Sequence, residues 1–435
     1  MQRAASNPGQ VVIPPKATSN FLRSREVLTK PIVMILLTVA VTGVIVGEPL
    51  PVTLSALVLA AIGLGRAWAR IALVDVRYHC ELSEWRLMVG DTFELTIRLE
   101  NRKVVPIPWL RVIDFIPQGI AVDGTTATFS ELPGTHQIDA WLRLRGYERV
   151  RISRKLTARR RGIFRIGHAR FIASDLFGFY EINGSVSRRS EEIVVYPRTV
   201  PLPGFSLPKA RPMGDNRARR ALIIDPTRPA GIREYRAGDR IRHIDWKATA
   251  KRGEPFVRTH ECSVTSHVVM LMECRAESGV TLSTKAAALE DAVSTAASIA
   301  VHLSSQGYGV GLVTNGAAPG ERGPVVIPPA SGPNQLPSLL KGLAGVHAMT
   351  TCALEDVVRT RASEAIPFGS TIVYVTSLVR PEMTQGLAEL RSKGCETAIA
   401  YAGRLQPPDN TGIPLLDMRF IQTLLADTQT CSSLS

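Results

Sequence analysis

Between residues 31 and 64 the chain carries a single charge, Glu48, set in a Gly47-Glu48-Pro49 break between two apolar runs. Apolar surface on this scale must leave water, so the segment is either core or membrane. The break divides it into arms of residues 31–46 and 50–64, the pattern of a helical hairpin. Each arm is shorter than the ~20 residues that usually cross hydrocarbon, so spanning requires flanking residues to be recruited. A secretory signal fits poorly, because the apolar region starts late, two arms follow one another and no small-residue cleavage site stands out.

Lys16, Arg23, Arg25 and Lys30 precede the hairpin and Arg66 and Arg70 follow it, whereas the turn holds only Glu48. Cationic flanks stay on the cytoplasmic side. Both ends are therefore expected there, with the rest of the chain a cytoplasmic body tethered to the membrane. The cysteines agree with that compartment. Cys80, Cys262, Cys274, Cys352, Cys395 and Cys431 lie far apart, with no CxxC pair and no histidines at zinc-ligand spacing, and read as reduced thiols.

With 435 residues, 45% of them hydrophobic, the body has material for two or three packed cores. Residues 75–200 read as an all-β sandwich, immunoglobulin-like in its repeated short strands. Strands are predicted over 74–82, 92–100, 109–116, 136–144 and 150–158, with turns at Gly90-Asp91 and Pro117-Gln118-Gly119. A connector over 201–266 begins Pro-rich and continues through Arg217, Arg219 and Arg220. From 267 to 426 strands and helices alternate: strands at 268–272, 308–314, 370–376 and 396–401, helices at 284–305, 336–343, 353–362 and 381–393. That order predicts a mostly parallel sheet covered by helices. Residues 1–30 form a cytoplasmic tail ahead of the hairpin at 31–65, and 427–435 a frayed end.

Two blocks carry more than composition. The first is Arg160-Arg161-Gly162-Ile163-Phe164-Arg165-Ile166-Gly167, followed by Asp175-Leu176-Phe177-Gly178-Phe179. The second, over 231–253, contains Arg233-Glu234-Tyr235-Arg236-Ala237-Gly238-Asp239-Arg240-Ile241-Arg242-His243-Ile244-Asp245-Trp246-Lys247. Together they resemble the bacterial family called domain of unknown function 58, whose pattern runs RG…G…DxFG and then REYxxGDxxRxIxWxxxAR. The resemblance implies a membrane hairpin, a von Willebrand factor A-like α/β domain after the second block, and work beside a MoxR-type AAA+ ATPase in assembling or maturing other proteins at the bacterial cell membrane.

In physical terms the second block interleaves Glu234, Asp239 and Asp245 with Arg233, Arg236, Arg240, Arg242, Lys247, Lys251 and Arg252 around Tyr235 and Trp246, with a turn at Gly238-Asp239. Alternating charge of this kind suits an ion-paired clasp bordering a partner surface. A hydrolase using Asp239, His243 and Asp245 is the rival reading, since a carboxylate can orient a histidine base. Nothing nearby has the signature of an activated nucleophile, and the arginines hold the carboxylates ionised. The expectation is no catalytic residue.

A metal site is not expected either. Metal-binding von Willebrand factor A domains resemble one another in an Asp-x-Ser-x-Ser turn, a loop Thr and a strand-ending Asp. Here that turn is Glu273-Cys274-Arg275-Ala276-Glu277, Ser377 stands in place of the Asp, and only Thr350 or Thr351 can supply the Thr. Arg275 puts a cation where the metal belongs. These positions are expected on the rim of the domain. There is no GxxxxGK[ST] loop, and Gly307-Tyr308-Gly309-Val310-Gly311 precedes a strand, not a helix, so no nucleotide or other cofactor is expected.

The formal charge of +14 draws the chain toward something anionic. Arg143, Arg145, Arg149, Arg151, Arg154, Lys155, Arg159, Arg160, Arg161, Arg165 and Arg170 are opposed almost only by Glu148, and alternating strands are expected to gather them on one basic face. Anionic lipid of the inner leaflet or an acidic ATPase surface fits such a face. Nucleic acid is disfavoured, because no aromatic residues interleave with the cations as a base-stacking platform requires.

Overall fold

A computed structural model describes residues 11–12, 26–124, 128–175, 180–186, 191–207, 224–236, 244–262, 267–275, 281–318, 323–347, 352–367, 369–408 and 411–425. The chain divides into two units, Met1–Tyr196 and Pro197–Ser435.

The first unit opens with β1 (Val11–Val12), α1 (Glu26–Val46) and α2 (Pro49–Ala72). The two helices pack against each other across the Gly47-Glu48 break, where Gly47 adopts a left-handed φ of 80° and Glu48 N donates to Gly43 O at 3.0 Å. Both helices run past the arms expected from the sequence, which recruits Glu26 to Lys30 into α1 and Gly65 to Ala72 into α2. By length and composition α2 can cross a membrane, while the apolar part of α1, Lys30–Val46, is shorter. The few hydroxyls are satisfied internally: Thr38, Thr42 and Thr53 donate to the carbonyls of Met34, Thr38 and Pro49 at 2.9–3.0 Å, as apolar surroundings demand. Large apolar side chains such as Met34, Ile45, Leu50 and Leu57 point outward.

The β body comprises β2 (Val76–Leu82), β3 (Arg86–Met88), β4 (Thr92–Asn101), β5 (Ile107–Pro117), β6 (Ile120–Val122), β7 (Thr128–Phe129), β8 (Thr135–Leu144), β9 (Arg149–Ala158), β10 (Gly162–Ile166), β11 (His168–Ser174), β12 (Glu181–Val186) and β13 (Glu191–Tyr196). Two five-stranded antiparallel sheets, β1-β2-β4-β9-β6 and β12-β11-β5-β8-β7, share one core: Tyr78, Leu95, Ile97 and Leu99 from the first meet Leu110, Val112, Ile138 and Phe171 from the second. The five predicted strands are present, four of them slightly longer and β2 two residues shorter, because Leu73 to Asp75 form the turn after α2. A third small sheet, β10-β13-β3, was not legible, because its strands are only three to six residues long.

The expectation of a single basic face is not met. A strand presents alternate residues to opposite sides, and the run of cations crosses several strands. Arg151 and Lys155 face outward on β9, across from Arg98 and Glu94 of β4, and Arg149 there pairs with Glu100 at 3.0 Å. Arg98 in turn pairs with Glu81 at 2.8 Å. Arg154 has the opposite parity and brings its charge toward buried Asp114. Arg143 and Arg170 belong to the other large sheet.

α2 is built into this body. Its Ile62 and Ala69 form a small cluster with Tyr180, to which Val33, Leu36, Val58 and Ile182 add. Between them Gly65 lies so close to Asp175 that a Cβ would sit 2.5 Å from Oδ2. Asp175 is itself buried and accepts from Tyr180 N at 2.9 Å. At the helix end the Lys103 ammonium donates to Ala72 O, a carbonyl the helix leaves open, and at 2.7 Å to Val74 O in the turn that follows. Partial burial of this amine holds its pKa down to about 8, against the pull of Asp75.

The second unit contains β14 (Ile224–Glu234), α3 (Trp246–Arg252), β15 (Phe256–Cys262), β16 (His267–Met272), α4 (Leu282–Ser305), β17 (Gly309–Ala317), β18 (Pro324–Ala330), α5 (Gln335–Gly345), α6 (Leu354–Ala365), β19 (Thr371–Thr376), α7 (Pro381–Ser392), β20 (Glu396–Tyr401) and β21 (Leu415–Asp417). Its main sheet runs β18-β17-β16-β19-β20-β21, parallel throughout except for β18. Val269, Leu271, Ile372 and Tyr374 pack under α6 and α7 through Leu354, Val357, Leu387 and Leu390. α4 and α5 pack on each other and on β17. The antiparallel β18, with its Pro328-Pro329 pair, was missed. Gly311 admits it, since a Cβ there would lie 2.7 Å from Pro329 N, so this glycine serves strand packing. The start of the connector lies along α4: Leu202 is buried, Val200 N donates to Ser298 Oγ at 2.9 Å, and Phe205 meets His302 edge-on at 5.5 Å.

Four cysteines with described surroundings, Cys80, Cys274, Cys352 and Cys395, are in no disulfide, and burial raises the pKa of Cys80 to about 12.

Candidate functional site

The described residues of the connector, read from the sequence as an ion-paired clasp, include a ribbon and a short helix. β14 and β15 form an antiparallel ribbon with Glu234 opposite Phe256 and Arg233 opposite Val257. An isolated bridge joins Ile244 to Val257. Asp245 then starts α3. Its backbone is extended, and its carboxylate accepts from Lys247 N and Ala248 N, both at 3.1 Å, which are amides a helix start leaves open. Gly253 ends the helix with a left-handed φ of 82° and an N–H bond to Thr249 O. Thr249 Oγ1 accepts from Phe256 N at 3.0 Å and the Arg252 guanidinium lies 5.1 Å from the Phe256 ring, which ties α3 back onto β15.

Of the site residues read from the sequence, Arg233, Glu234, Tyr235, Trp246 and Lys247 are exposed on this module, and Trp246 stands 68% exposed. Tyr235 N donates to Pro255 O at 2.9 Å, so the ribbon positions the tyrosine. Gly238, Asp239, Arg240, Arg242 and the His243 of the hydrolase reading lie outside the described residues, as do Arg217, Arg219 and Arg220. Asp245 is thus a cap in the first place, a role the sequence signals only through an acid just ahead of a short helix-forming run.

A second cluster lies where the main sheet changes direction. The chain leaves β16 for β17 on one side and leaves β19 for β20 on the other, so the carboxyl ends of β16 and β19 flank the switch point at which open α/β sheets place their crevice. Glu273 and Cys274 sit there, buried, where a rim position was expected. The correction has a physical cause in Asn315, which the sequence reading missed. Asn315 Nδ2 donates to Glu273 Oε1 at 2.7 Å, while Asn315 Oδ1 accepts from Cys274 N at 2.9 Å. Arg275 N donates to the same Glu273 oxygen at 3.2 Å, and Cys274 Sγ lies 2.9 Å from Thr314 Oγ1. A carboxylate with two donors on one oxygen can be buried at less cost than an unpaired one. The only signal was polar Thr314-Asn315 closing an otherwise apolar strand. Burial raises the pKa of nearby Tyr374, and Thr376 accepts from Leu378 N at 3.1 Å. Glu277, Thr350 and Thr351 lie outside the described residues, and among the described residues no three His, Cys, Asp or Glu gather as a metal site would require.

The module and the main sheet through Gly403 coincide with a recognised sequence unit: residues 231–403 match the family described as Protein of unknown function DUF58. Over these residues the chain matches the DUF58 family model. The match begins at Gly231 in β14, so the motif-bearing module belongs to the DUF58 unit, while Arg160 to Gly167 lie ahead of it. A relative is the Bacillus subtilis (strain 168) protein described as Uncharacterized protein YeaD, 22% identical over 317 residues that make up 72% of either chain. Solved structures overlap only slightly. The Escherichia coli alpha-2-macroglobulin fragment from domain MG7 to the C-terminus shares 12% identity over 28% of this chain and 23% of that one, with a TM-score of 0.22. The cohesin module of a Clostridium perfringens family 33 glycoside hydrolase shares 14% identity over 27% of this chain and 94% of that one, with a TM-score of 0.19. Overlaps of this size bear on neither fold nor function.

Proposed function

We propose that this DUF58 protein is a membrane-anchored, non-enzymatic interaction or assembly factor whose cytoplasmic part works with a MoxR-type AAA+ ATPase. The observation that carries the anchoring is the construction of α2: one helix apolar and long enough to cross a bilayer continues without a break into the β body, pinned by Lys103 and by the Gly65–Asp175 approach. A removable signal segment has no reason to be wedged into a folded domain in this way. We read the β body as immunoglobulin-like and the second unit as a degenerate von Willebrand factor A-like domain; the parallel sheet with its helix layers supports the latter.

Two features support interaction over catalysis. Asp245 Oδ1 accepts from the amides of Lys247 and Ala248, which gives this acid a structural role at the start of α3. Exposed Trp246 and Tyr235 beside Arg233 and Lys247 have the composition of protein-interface anchors. The dispersal of the cations over several sheets speaks against a nucleic-acid face. The ATPase itself comes from the family resemblance. Copurification from native membranes tests it: an AAA+ ATPase should accompany the full chain and be lost from R240E/R242E, while a hydrolytic activity abolished by His243→Ala in a folded chain would overturn the non-enzymatic reading.

A further inference from the structure

One end of the β body is set by register to lie beside α2. β5 starts there, with Ile107 opposite Leu144 at the end of β8 and Trp109 opposite Ser174 at the end of β11. Next to Ser174, Asp175 meets Gly65 of α2, and in the β4–β5 loop Lys103 holds the last carbonyls of that helix. Arg66 is the first charge after the apolar stretch of α2. From Leu64 to Ala72 the helix advances roughly 12 Å, comparable to one headgroup layer together with a Debye length. This end of the body is therefore held at the membrane surface if α2 is the anchor.

The tip formed by the β4–β5 and β8–β9 loops presents apolar side chains to solvent. Val104 is 71% exposed, Tyr147 68% and neighbouring Trp109 54%. The loops are rigidly built for this. Buried Asn101 donates through Nδ2 to Val105 O at 3.0 Å and Arg145 O at 2.9 Å, and Tyr147 N donates to Lys103 O at 3.1 Å. Gly146 passes so near Val104 that a Cβ would lie 2.3 Å from its carbonyl oxygen. Tyr147 itself holds a left-handed φ of 57°, an uncommon state for a residue with a side chain. Around these groups Arg102, Arg143 and Arg145 are exposed. The acids close by are engaged: Glu148 accepts from Arg145 N at 2.6 Å, and Glu100 pairs with Arg149 at 3.0 Å and, more loosely, with Arg102 at 3.7 Å, which leaves the exposed Arg102 guanidinium able to turn to a headgroup phosphate.

We propose that this tip, Val104 and Tyr147 framed by Arg102 and Arg145, rests on the anionic phospholipid headgroups of the membrane that holds the hairpin, an inference that depends on the anchor reading above. Aromatic and apolar groups with arginines are the usual furniture of the interface, and a preformed tip loses little freedom on contact. Continuity with α2 supplies the proximity, so weak contacts suffice. The tip thereby orients the whole body against the bilayer.

The test is hydrogen exchange on the full chain in nanodiscs of phosphatidylcholine alone and of phosphatidylcholine with phosphatidylglycerol. Amides of 101–106 and 144–148 should exchange more slowly in the phosphatidylglycerol discs, and R102E/R145E should remove the difference, with a change on the order of fivefold in the contact equilibrium per cation. High salt should also remove it. A chain that enters both kinds of disc but exchanges these amides equally in each overturns the tip contact alone. A chain that stays out of the discs overturns the anchor and the tip with it.

Discussion

Asp114 lies in the run Val112-Ile113-Asp114-Phe115-Ile116 on β5, with every side chain of the run buried. Tyr78 OH donates to its Oδ1 at 3.3 Å, and Oδ2 has no partner among the described residues. Burial raises the pKa to about 7; Arg154 and Tyr78 oppose this and Asp139 adds to it. The unfolded carboxyl titrates near 4, so the folded chain binds the extra proton. Stability is then complete below about pH 4, falls as pH rises to about 7, and is level above, a loss of roughly 4 kcal/mol. Melting the full chain in detergent at pH 5 and pH 8 should show this decline, and Asp114→Asn should flatten it. Asp245 offers a second measurement. As a helix cap it should cost about 1 kcal/mol when changed to Ala and almost nothing when changed to Asn, which caps as well. A loss of 3–5 kcal/mol in Asp245→Asn would instead mark a buried ion pair.

Among the elements α2 couples lipid to protein, and its two glycines separate those roles. A side chain at Gly65 would press on Asp175, whereas a Cβ at Gly63 meets nothing within 4 Å. Gly65→Leu should therefore lower stability by about 1–3 kcal/mol through overpacking. Gly63→Ala should be neutral or stabilising by up to about 1 kcal/mol, since glycine is a weak helix former. Limited proteolysis at the α2–β2 junction, compared between the two variants, reads the difference directly. In the second unit the short α3 buries no residue, so its caps at Asp245 and Gly253 and its tie to Phe256 hold it in place of a core.

At the scale of the whole molecule, the segments flanking the hairpin meet again: Val11 pairs with Tyr78 and Val12 with Arg77, on either side of α1 and α2 in sequence. In the anchored reading proposed above, this pairing puts both ends of the hairpin on one face of the membrane. A cysteine introduced at Glu48 should react with an impermeant external reagent and one at Arg70 should not; the reverse pattern would invert the topology. On β4, β9 and β2 part of the positive charge is paired, Arg98 with Glu81 at 2.8 Å and Arg149 with Glu100 at 3.0 Å.

The sequence by itself determined the elements whose signal is local. The apolar arms around Glu48, the alternating runs that became β2, β4, β5, β8 and β9, and the helix–strand alternation after His267 follow from hydrophobic period and turn residues, which act within a few neighbours. For the candidate site the sequence marked a run of residues, whereas the exposure of Tyr235, Trp246 and Lys247 on one module and the place of Asp245 at a helix start came from the fold. What the tertiary structure alone decided were relations between residues distant in the chain. The pairing of Asn315 with Glu273, the grip of Lys103 on the end of α2, the seat of Gly65 on Asp175 and the scattering of the arginines over several sheets each depend on strand register and sheet order. Those are fixed by packing summed over the whole core, so no window of neighbouring residues carries them.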